Sequence, residues 1–358
     1  MRVAYLLPAP GIPVQGPSGA SAHVRGIVRA MRASHDVRLY AARGEDHRGR
    51  FGVDTPARLS GVPPWPTVLG RWRDQQEVLA ARRVADAVMA DAWAGWAPEV
   101  VIERHTLFSD AGWRIHHRLG VPWVLEVNAP PTVERARYEE LRRPSKAEEW
   151  ERRVLQAAPV VIAVSRWLVR WLKEEVGCRN VVWVPNGVDP VKGDRARGRA
   201  LLGVSSDEPL IGYVGSRRQW HDIASLARVA DAAGARLVLA GQFDVVPGGA
   251  LAPGHLGPQD LADVIAALDV GMAPYQTDSP AWFCPLKVLG YRAQGTPVVA
   301  TALGDVPALV EDGGSVVPAG DHDALVTSVC AWMGRRVTPR VRSWRTVARE
   351  VLELGLGG

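Results

Sequence analysis

The sequence passes from one structural pattern to a second at Val184-Pro185-Asn186-Gly187-Val188-Asp189. On both sides of this stretch, short apolar runs alternate with segments of helical periodicity, which is typical of parallel sheets covered by helices. The segment from Pro185 to Gly203 contains two prolines and four glycines, a composition that indicates a connection rather than a regular element. We therefore predict an α/β fold with two domains, at residues 1–185 and 190–335.

The apolar runs are predicted to be the strands of these two sheets. They are Val3–Leu7, Val37–Tyr40, Val100–Ile102, Trp123–Val127, Val160–Val164 and Val181–Val184, then Leu210–Val214, Arg236–Ala240, Val270–Ala273 and Pro297–Ala300. Helices are predicted at about His23–Ala33, Trp72–Trp93, Asp110–Leu119, Ile223–Ala233, Pro258–Ala267, Leu286–Gln294 and Ala324–Met333, and from Ser145 and Ser165. Ser145 and Glu148 have the spacing of a capping box. A last helix at about 341–354, with Trp344, Val347, Val351 and Leu354 on one face, is expected to pack back on the first domain.

The bulk composition excludes several classes of protein. With 358 residues, 47% apolar and 23% charged, the chain resembles an ordinary globular protein. No run approaches the roughly 20 apolar residues that span a bilayer, and the first apolar run is too short for a signal peptide, so we expect a cytoplasmic protein. The three cysteines lack metal-ligand spacing, and we expect no metal and no disulfide. The net charge of +5 is dispersed, which argues against a nucleic-acid partner and favours phosphate binding.

Five segments resemble, in order and spacing, the motifs of the retaining glycosyltransferase family 4. They are Ser18-Gly19-Ala20-Ser21-Ala22-His23-Val24, the stretch at 184–189, Gly212-Tyr213-Val214-Gly215-Ser216-Arg217-Arg218-Gln219-Trp220-His221, Leu268-Asp269-Val270-Gly271-Met272-Ala273-Pro274-Tyr275, and Pro285-Leu286-Lys287 to Val298-Val299-Ala300-Thr301. Segments 103–109 and 125–130 resemble a bacterial branch, so the chain is identified as a divergent bacterial member. The resemblance implies a GT-B fold, in which two Rossmann-like, doubly wound domains face each other across a cleft. It also implies an acceptor on the first domain and a nucleoside-diphosphate sugar, of UDP or GDP type, on the second, with no tightly bound cofactor.

Small residues near the first strand are candidates for the donor site. Gly16 and Gly19 would let backbone N–H groups approach a phosphate, with the positive end of the next helix behind them. In the second domain, the resemblance implies an Arg and a Lys after the strand that ends near Gly215. Ser216 and His221 stand at those positions instead.

The positive charge for a diphosphate must then come from other residues. Arg217 and Arg218 are adjacent and carry the planar guanidinium that suits phosphate oxygens. Lys287, after Cys284-Pro285-Leu286, opens a helix and adds a charge to its backbone donors. We expect Lys287 and Arg218 to take part in catalysis. The residues expected to contact the donor are Gly16, Gly19, Gly215, Ser216, Arg217, Arg218, His221, Cys284, Pro285, Leu286 and Lys287.

The expected contact to the nucleotide's ribose is altered. Many family members carry two glutamates eight positions apart, the second of which holds the ribose hydroxyls, and these positions fall here on Trp282 and Gly290. Replacement candidates are Asp278, Asp305 and Glu311, and the sequence does not choose among them.

Acceptor candidates follow two strands of the first domain. Arg104 and His105 come after the third predicted strand, at the edge where ligands gather in open α/β sheets. Asn128 stands where many relatives have a histidine; it can hydrogen-bond a sugar hydroxyl but cannot act as a base. His105 either positions a hydroxyl, shuttles a proton or is structural. Glu134 and Arg137 either contact the acceptor or form an ion pair within a helix.

The resemblance thus implies a retaining hexosyltransferase with a small-molecule or natural-product acceptor. Its catalytic candidates are Lys287, Arg218, Asn128 and His105, and the departing phosphate takes the acceptor's proton. A lipid-linked acceptor met at the membrane surface stays open, as does the oligomeric state. The alternatives are a binding or partner protein on the same scaffold and a nucleotide-sugar epimerase.

Overall fold

The computed structural model describes residues 1–43, 57–59, 73–189, 191–215 and 218–357, with the backbone alone at 57–59. Within these ranges the chain divides into two compact units. The first unit comprises Met1–Gly16, Ala20–Pro185 and Trp344–Gly358, and the second comprises Pro17–Gly19 and Asn186–Ser343. No helix in the described ranges is long and apolar enough to cross a membrane.

The first unit contains a parallel sheet of seven described strands, in the order β3-β2-β1-β4-β5-β6-β7. The strands are β1 (Arg2–Leu7), β2 (Asp36–Ala41), β3 (Ala57–Leu59), β4 (Val100–Arg104), β5 (Trp123–Val127), β6 (Val160–Ala163) and β7 (Val181–Trp183). The helices of this unit are α1 (Gly19–Arg32), α2 (Arg73–Trp93), α3 (Ala111–Leu119), α4 (Pro131–Tyr138), α5 (Pro144–Ala157), α6 (Arg166–Arg170), a π-helical turn (Trp171–Val176) and, from the end of the chain, α13 (Trp344–Gly355).

The second unit contains a parallel sheet of six described strands, in the order β10-β9-β8-β11-β12-β13. The strands are β8 (Leu210–Val214), β9 (Arg236–Ala240), β10 (Leu251–Gly254), β11 (Val270–Ala273), β12 (Val298–Thr301) and β13 (Gly314–Val317). The helices are α7 (Arg195–Leu202), α8 (Ile223–Ala232), α9 (Pro258–Ala267), α10 (Leu286–Ala293), α11 (Val306–Val310) and α12 (His322–Trp332).

Both sheets are doubly wound, and the predicted α/β fold class is confirmed. In the first unit the chain builds β1 to β3 in one direction and then returns to place β4 beside β1. In the second unit it does the same from β8 to β10 and returns to place β11 beside β8. Ligands of such sheets bind where the strand order reverses, at the carboxyl ends of the strands. The residues after β1, β4, β8 and β11 are therefore the ones to inspect.

The central strands match their predictions, and three edge strands were not predicted. Trp123–Val127, Leu210–Val214, Arg236–Ala240 and Val270–Ala273 have the predicted limits. Strands β3, β10 and β13 each have three or four residues and lie at the edges of their sheets. An edge strand needs fewer apolar residues because it has only one neighbour to pair with, so its sequence signal is weak.

The prediction that 185–203 is only a connection is wrong, because α7 forms within it. Asp194 caps this helix by accepting a hydrogen bond from the backbone N–H of Arg197, at 2.9 Å. A Cβ at Gly193 would lie 2.1 Å from the Ala262 carbonyl oxygen, and one at Gly198 would lie 2.0 Å from that of Asp263. These glycines therefore allow two helices to pack backbone to backbone, and they do not mark a flexible linker.

The predicted start of α5 is also wrong. The helix begins at Pro144 with Arg143 as its N-cap, and no side chain caps it, so Ser145 does not form a capping box. Proline at the first helical position is well suited to this start because it has no N–H to satisfy. By contrast, the helix predicted from Ser165 does begin there: Ser165 is its N-cap and accepts from the Leu168 N–H at 3.2 Å.

Helix α13 packs within the first unit. A Cβ at Gly26 of α1 would lie 2.2 Å from Trp344 Nε1, so the absence of a side chain there admits the indole. The buried face of α13 contains Trp344, Val347, Ala348, Val351 and Leu352. Leu354, predicted on this face, is only partly buried.

Candidate functional site

In the second unit, Lys287 forms a hydrogen-bonded cluster with two residues from the β8 side. Its Nζ donates to the Tyr213 hydroxyl at 2.8 Å and lies 3.1 Å from His221 Nε2. The Tyr213 hydroxyl lies 2.7 Å from His221 Nδ1, which closes the triangle. Lys287 Nζ is also 4.1 Å from the centre of the Tyr213 ring and 5.5 Å from that of Tyr275. The lysine predicted to bind the donor is thus held by a phenol, an imidazole and two aromatic faces.

A glycine turn after β8 lies beside this cluster. Gly215 has a φ of +122°, which L side chains rarely adopt, and its N–H donates to the Ala240 carbonyl at 2.9 Å. A Cβ at Gly215 would lie 3.8 Å from Lys287 Cε. The turn therefore brings bare backbone next to the lysine.

The electrostatics of the cluster favour an anion. Burial lowers the pKa of Lys287 to about 7. No carboxylate in the described chain forms an ion pair with it, and its polar neighbours are neutral or imidazole groups. Lys287 is the second residue of α10, whose first turn has no side-chain cap. A bound anion would meet both the ammonium and the positive end of this helix.

Of the neighbouring candidates, Arg218 lies within the described residues. Arg218 is exposed, and its carbonyl accepts from the His221 N–H at 3.0 Å. Burial raises the pKa of Tyr213, and the nearby charge of Arg218 opposes that shift. Arg218 therefore lies at the edge of the lysine cluster. Ser216 and Arg217 lie outside the described residues, and their roles stay predictions.

Cys284 and Pro285 have structural roles in this arrangement. The Cys284 carbonyl accepts a hydrogen bond from Asn186 Nδ2 at 2.9 Å, which connects the segment at 184–189 to the start of α10. Burial raises the pKa of the Cys284 thiol to about 12. Pro285, the N-cap of α10, is buried as well, whereas Leu286 is partly exposed. Donor contacts from Cys284 and Pro285 stay predictions, but the Cys284 thiol itself is not presented at the surface.

The positions expected to hold the ribose lack acidic side chains. Trp282 is buried, and Gly290 lies within α10, where an added Cβ would be 3.5 Å from Ile265 Cδ1. Of the proposed replacements, Glu311 forms an ion pair with Arg340. Asp305 is buried, and its charge contributes to the raised pKa of Cys284.

In the first unit, the polar cluster at the strand ends is centred on Glu126, which was not among the predicted site residues. Its carboxylate lies 2.5 Å from His23 Nε2 and 3.6 Å from Arg104 Nη1. It accepts from the Tyr5 hydroxyl at 3.0 Å and from Asn128 Nδ2 at 2.5 Å. Burial by itself would raise the pKa of Glu126, but His23, Arg104 and Asn128 outweigh it and lower the pKa to about 2.

The predicted acceptor residues Arg104 and Asn128 both belong to this cluster. Arg104 is 8% exposed, and its Nη1 is buried without a hydrogen bond in the described structure. Asn128 is partly buried and spends its Nδ2 on Glu126, which leaves the Oδ1 atom as its acceptor. The cluster therefore holds Arg104 and Asn128 in fixed orientations at the ends of β4 and β5.

His105 faces away from Glu126 toward α5. Its Nε2 lies 3.3 Å from Glu151 Oε1, and its Nδ1 is buried without a hydrogen bond in the described structure. The side chain is only 2% exposed, so it reaches a ligand only through a cavity. Of the two candidates on α4, Glu134 is partly buried, while Arg137 is exposed and lies over the Tyr138 ring at 5.2 Å.

The loop after β1 has a fixed shape. Arg25 Nη1 donates to the carbonyls of Val14 and Gly16, at 2.7 and 2.8 Å. A Cβ at Gly16 would lie 2.6 Å from Ser21 Oγ, so only glycine fits. Gly19 is the first residue of α1. Phosphate contacts from these two glycines stay predictions.

The residues missed from the sequence are Glu126, Glu151, Tyr213 and Tyr275. A signal existed for Glu126, because a charged residue interrupts the buried strand Trp-Val-Leu-Glu-Val at 123–127. Glu151 lies on a helix rich in charges and has no comparable signal. In the described ranges, no group of three His, Cys, Asp or Glu side chains is placed to hold a metal ion.

Comparison with known proteins identifies the family. The model of Glycosyltransferase Family 4 matches residues 17–192, and the model of Glycosyl transferases group 1 matches residues 208–334. With the two doubly wound units, these matches define a chain of the GT-B class. It belongs to glycosyltransferase family 4.

A curated relative and two solved structures extend the comparison. A D-inositol 3-phosphate glycosyltransferase of Segniliparus rotundus is 28% identical over 250 residues, which are 61% of this chain but only 54% of that protein. The chain thus spans about half the length of that relative. Sucrose-phosphate synthase of Thermosynechococcus elongatus has a TM-score of 0.71 at 18% identity, covering 99% of this chain and 94% of its own. Anabaena HepE in complex with UDP-glucose has a TM-score of 0.68 at 15% identity, covering both chains fully, at 100%. At these identities the solved structures establish the fold.

Proposed function

We propose that this protein is a retaining glycosyltransferase. It transfers a hexose-like sugar from a nucleoside diphosphate of the UDP or GDP type to a small-molecule or natural-product acceptor on the first unit. The observation that carries this proposal is Lys287: an ammonium at the start of α10, over two tyrosine rings and without a carboxylate partner in the described chain. A diphosphate supplies the negative charge that this arrangement lacks.

In the proposed reaction, the bond between the anomeric carbon and the diphosphate oxygen breaks. The acceptor oxygen bonds to the same carbon from the same face, and its proton passes to the departing phosphate. Lys287 and Arg218 stabilise the charge that develops on that phosphate. Asn128 and His105 position the acceptor's hydroxyl groups, and no carboxylate nucleophile is needed.

The proteins to which the chain is similar support this proposal. One is named as a glycosyltransferase of D-inositol 3-phosphate, and another was solved with UDP-glucose. The lysine cluster suits a nucleoside-diphosphate sugar such as UDP-glucose, because it offers a cation and helix N–H groups to a diphosphate.

A second candidate function is binding without catalysis. Trp282 and Gly290 stand where many relatives have glutamates, and a lost charged hydrogen bond weakens donor binding by about 1.5 to 3 kcal/mol. A nucleotide-sugar epimerase on the same scaffold is a weaker third candidate.

Calorimetry with UDP, GDP, ADP and dTDP tests the proposal most directly. We expect at least one of these nucleotides to bind the wild-type protein, and its affinity for the Lys287→Met variant to be much lower. Absence of binding to all four near millimolar concentration would contradict a transferase. Where one binds, incubation with the matching nucleotide sugar separates the candidates: a glycosylated acceptor supports transfer, an isomerised donor identifies an epimerase, and an unchanged donor across an acceptor panel favours binding alone.

A further inference from the structure

A cavity of about 470 Å³ opens in the first unit between α4, α5 and the π-helical turn. Its volume lies in the range of small-molecule pockets. Thr132, Glu151, Trp171 and Val176 form a buried floor, and each is less than a tenth exposed. Neither the Lys287 cluster nor the Glu126 cluster contributes to its lining.

The floor contains a buried hydroxyl without a partner next to a buried carboxylate. The Thr132 hydroxyl is buried and has no hydrogen bond in the described structure. Glu151 Oε1 lies 3.3 Å from His105 Nε2 and 3.5 Å from the Thr132 backbone nitrogen. Both residues line the cavity. Buried polar groups are normally hydrogen-bonded, so the Thr132 hydroxyl beside the Glu151 carboxylate suits the hydroxyl groups of a ligand.

The remaining floor is apolar. Trp171 is 6% exposed and Val176 is 5% exposed, and both lie in the π-helical turn. π-helical turns are rare in proteins, and those that occur are often found at functional sites. A sugar or cyclitol ring has C–H faces that pack on apolar surface and a rim of hydroxyls that need polar partners. The floor offers both surfaces side by side.

The charges around the cavity disfavour an anionic ligand. Glu148, Glu151 and Glu175 contribute three carboxylates, against the guanidinium groups of Arg137 and Arg152. Arg152 Nη1 already donates to the Glu175 carbonyl at 3.0 Å. The lining therefore has one more negative than positive charge, and a phosphate dianion would enter against repulsion.

We propose that this cavity is the acceptor subsite and takes an uncharged polyhydroxylated ring rather than a phosphorylated one. The inference rests on the proposed transferase function. It is supported by the direct link from the cavity to the acceptor residues: Glu151 meets His105, which follows Arg104 at the end of β4. The acceptor class thus differs from the inositol phosphate in the name of the curated relative.

Saturation-transfer NMR tests the proposal with three probes: methyl α-glucoside, myo-inositol and glucose 6-phosphate. We expect the wild type to bind at least one of the neutral probes and to bind glucose 6-phosphate more weakly. Thr132→Val, which removes one hydroxyl at nearly constant shape, should weaken the neutral ligand by about tenfold. Glu149→Gln is the control, because Glu149 is exposed on α5, the helix of the lining residues Glu148 and Glu151, and does not line the cavity.

A charge variant on the rim keeps the test independent of the folding of Thr132→Val. Glu148→Lys changes the lining from one net negative to one net positive charge and should strengthen glucose 6-phosphate binding relative to methyl α-glucoside. Tighter binding of glucose 6-phosphate to the wild type, no binding of either neutral probe, or equal binding by wild type and both cavity variants would overturn the subsite. UDP calorimetry on the same samples distinguishes the transferase proposal from the acceptor-subsite proposal. Absence of UDP binding to the wild type would count against the transferase and not against the cavity as a ligand site.

Discussion

The two units have the same doubly wound topology but opposite charges at their switch points. In the first unit the centre is the Glu126 carboxylate, which is buried and has four polar partners, two of them basic. In the second it is the Lys287 ammonium, whose hydrogen-bonding neighbours are a phenol and an imidazole. The Glu126 carboxylate is satisfied by the protein itself. The second has a charge that its own unit does not balance.

This difference assigns different tasks to similar scaffolds. A buried carboxylate with a full set of partners fixes the side chains around it, so the Glu126 cluster acts as a rigid support for Arg104 and Asn128. A partly buried cation without a carboxylate partner gains most when an anion arrives. We therefore expect damage to Glu126 to affect stability and damage to Lys287 to affect nucleotide chemistry.

Glu126→Ala should have the largest effect of the variants considered. Removing the carboxylate leaves His23 and Arg104 buried without their counter-charge, which should lower the free energy of unfolding by about 3 kcal/mol. Urea denaturation measures this loss. Because the pKa of Glu126 is lowered to about 2, its contribution should be present above about pH 4.5 and disappear as the pH falls toward 2.

Glu99→Ala is the control for this variant. Glu99 also accepts from Arg2 and lies 3.9 Å from its guanidinium, but both side chains are about half exposed, at 52% and 42%. The loss there should stay below about 1 kcal/mol. Equal losses for the two variants would remove Glu126 from the role of a structural centre.

Lys287→Ala should act in the opposite way. We expect turnover to fall by at least about tenfold, equivalent to about 1.4 kcal/mol of transition-state stabilisation. Thermal stability should not fall, because removing a buried and unbalanced charge offsets the loss of the contacts with Tyr213 and His221. Steady-state kinetics and thermal melts on the same preparation separate the two effects. Lys192→Ala, at an exposed lysine of the same unit, should leave both unchanged. A wild-type rate for Lys287→Ala would exclude the residue from the site.

The pH dependence of nucleotide binding gives a smaller but more specific effect. Burial lowers the pKa of Lys287 to about 7, and a bound diphosphate stabilises its charged form, so binding takes up protons. Affinity for UDP should therefore fall by about fivefold between pH 7 and pH 8, as the free lysine loses its charge. In Lys287→Met the slope should vanish. A slope shared by both proteins would place the titrating group elsewhere.

The sequence predicted the fold far better than it predicted these clusters. Buried parallel strands are runs of β-branched residues, and their pattern is local. The clusters depend on residues that are far apart in the chain: Tyr5 and Glu126 are separated by 121 positions, and Tyr213 and Lys287 by 74. Lys287 was found because it also opens a helix within a family motif. Glu151 had no such local signal, since its importance comes from His105 and the cavity.

Local rules failed where tertiary packing decided the structure. Gly193 and Gly198 read as signs of a loop, yet they lie where α7 approaches the backbone of α9. Ser145 had the spacing of a cap, but the proline before it provides a better first residue and moved the helix start. In both cases the residue type was informative, and its neighbour in space determined what it did.

The smallest expected effect concerns the carboxylate that α10 lacks. If the ribose has no acidic partner, Gly290→Glu should tighten nucleotide binding by about twofold. This gain is a fraction of the stabilisation of about 1.5 kcal/mol that a full charged hydrogen bond gives. Gly290→Ala is the control, because it brings the same gain in helix propensity without the carboxylate. The added Cβ meets only Ile265, at an ordinary contact distance of 3.5 Å. Equal affinities for the two variants would mean that another residue, such as the buried Asp305, already binds the ribose. The second unit would then lack only the anion that balances the charge of Lys287.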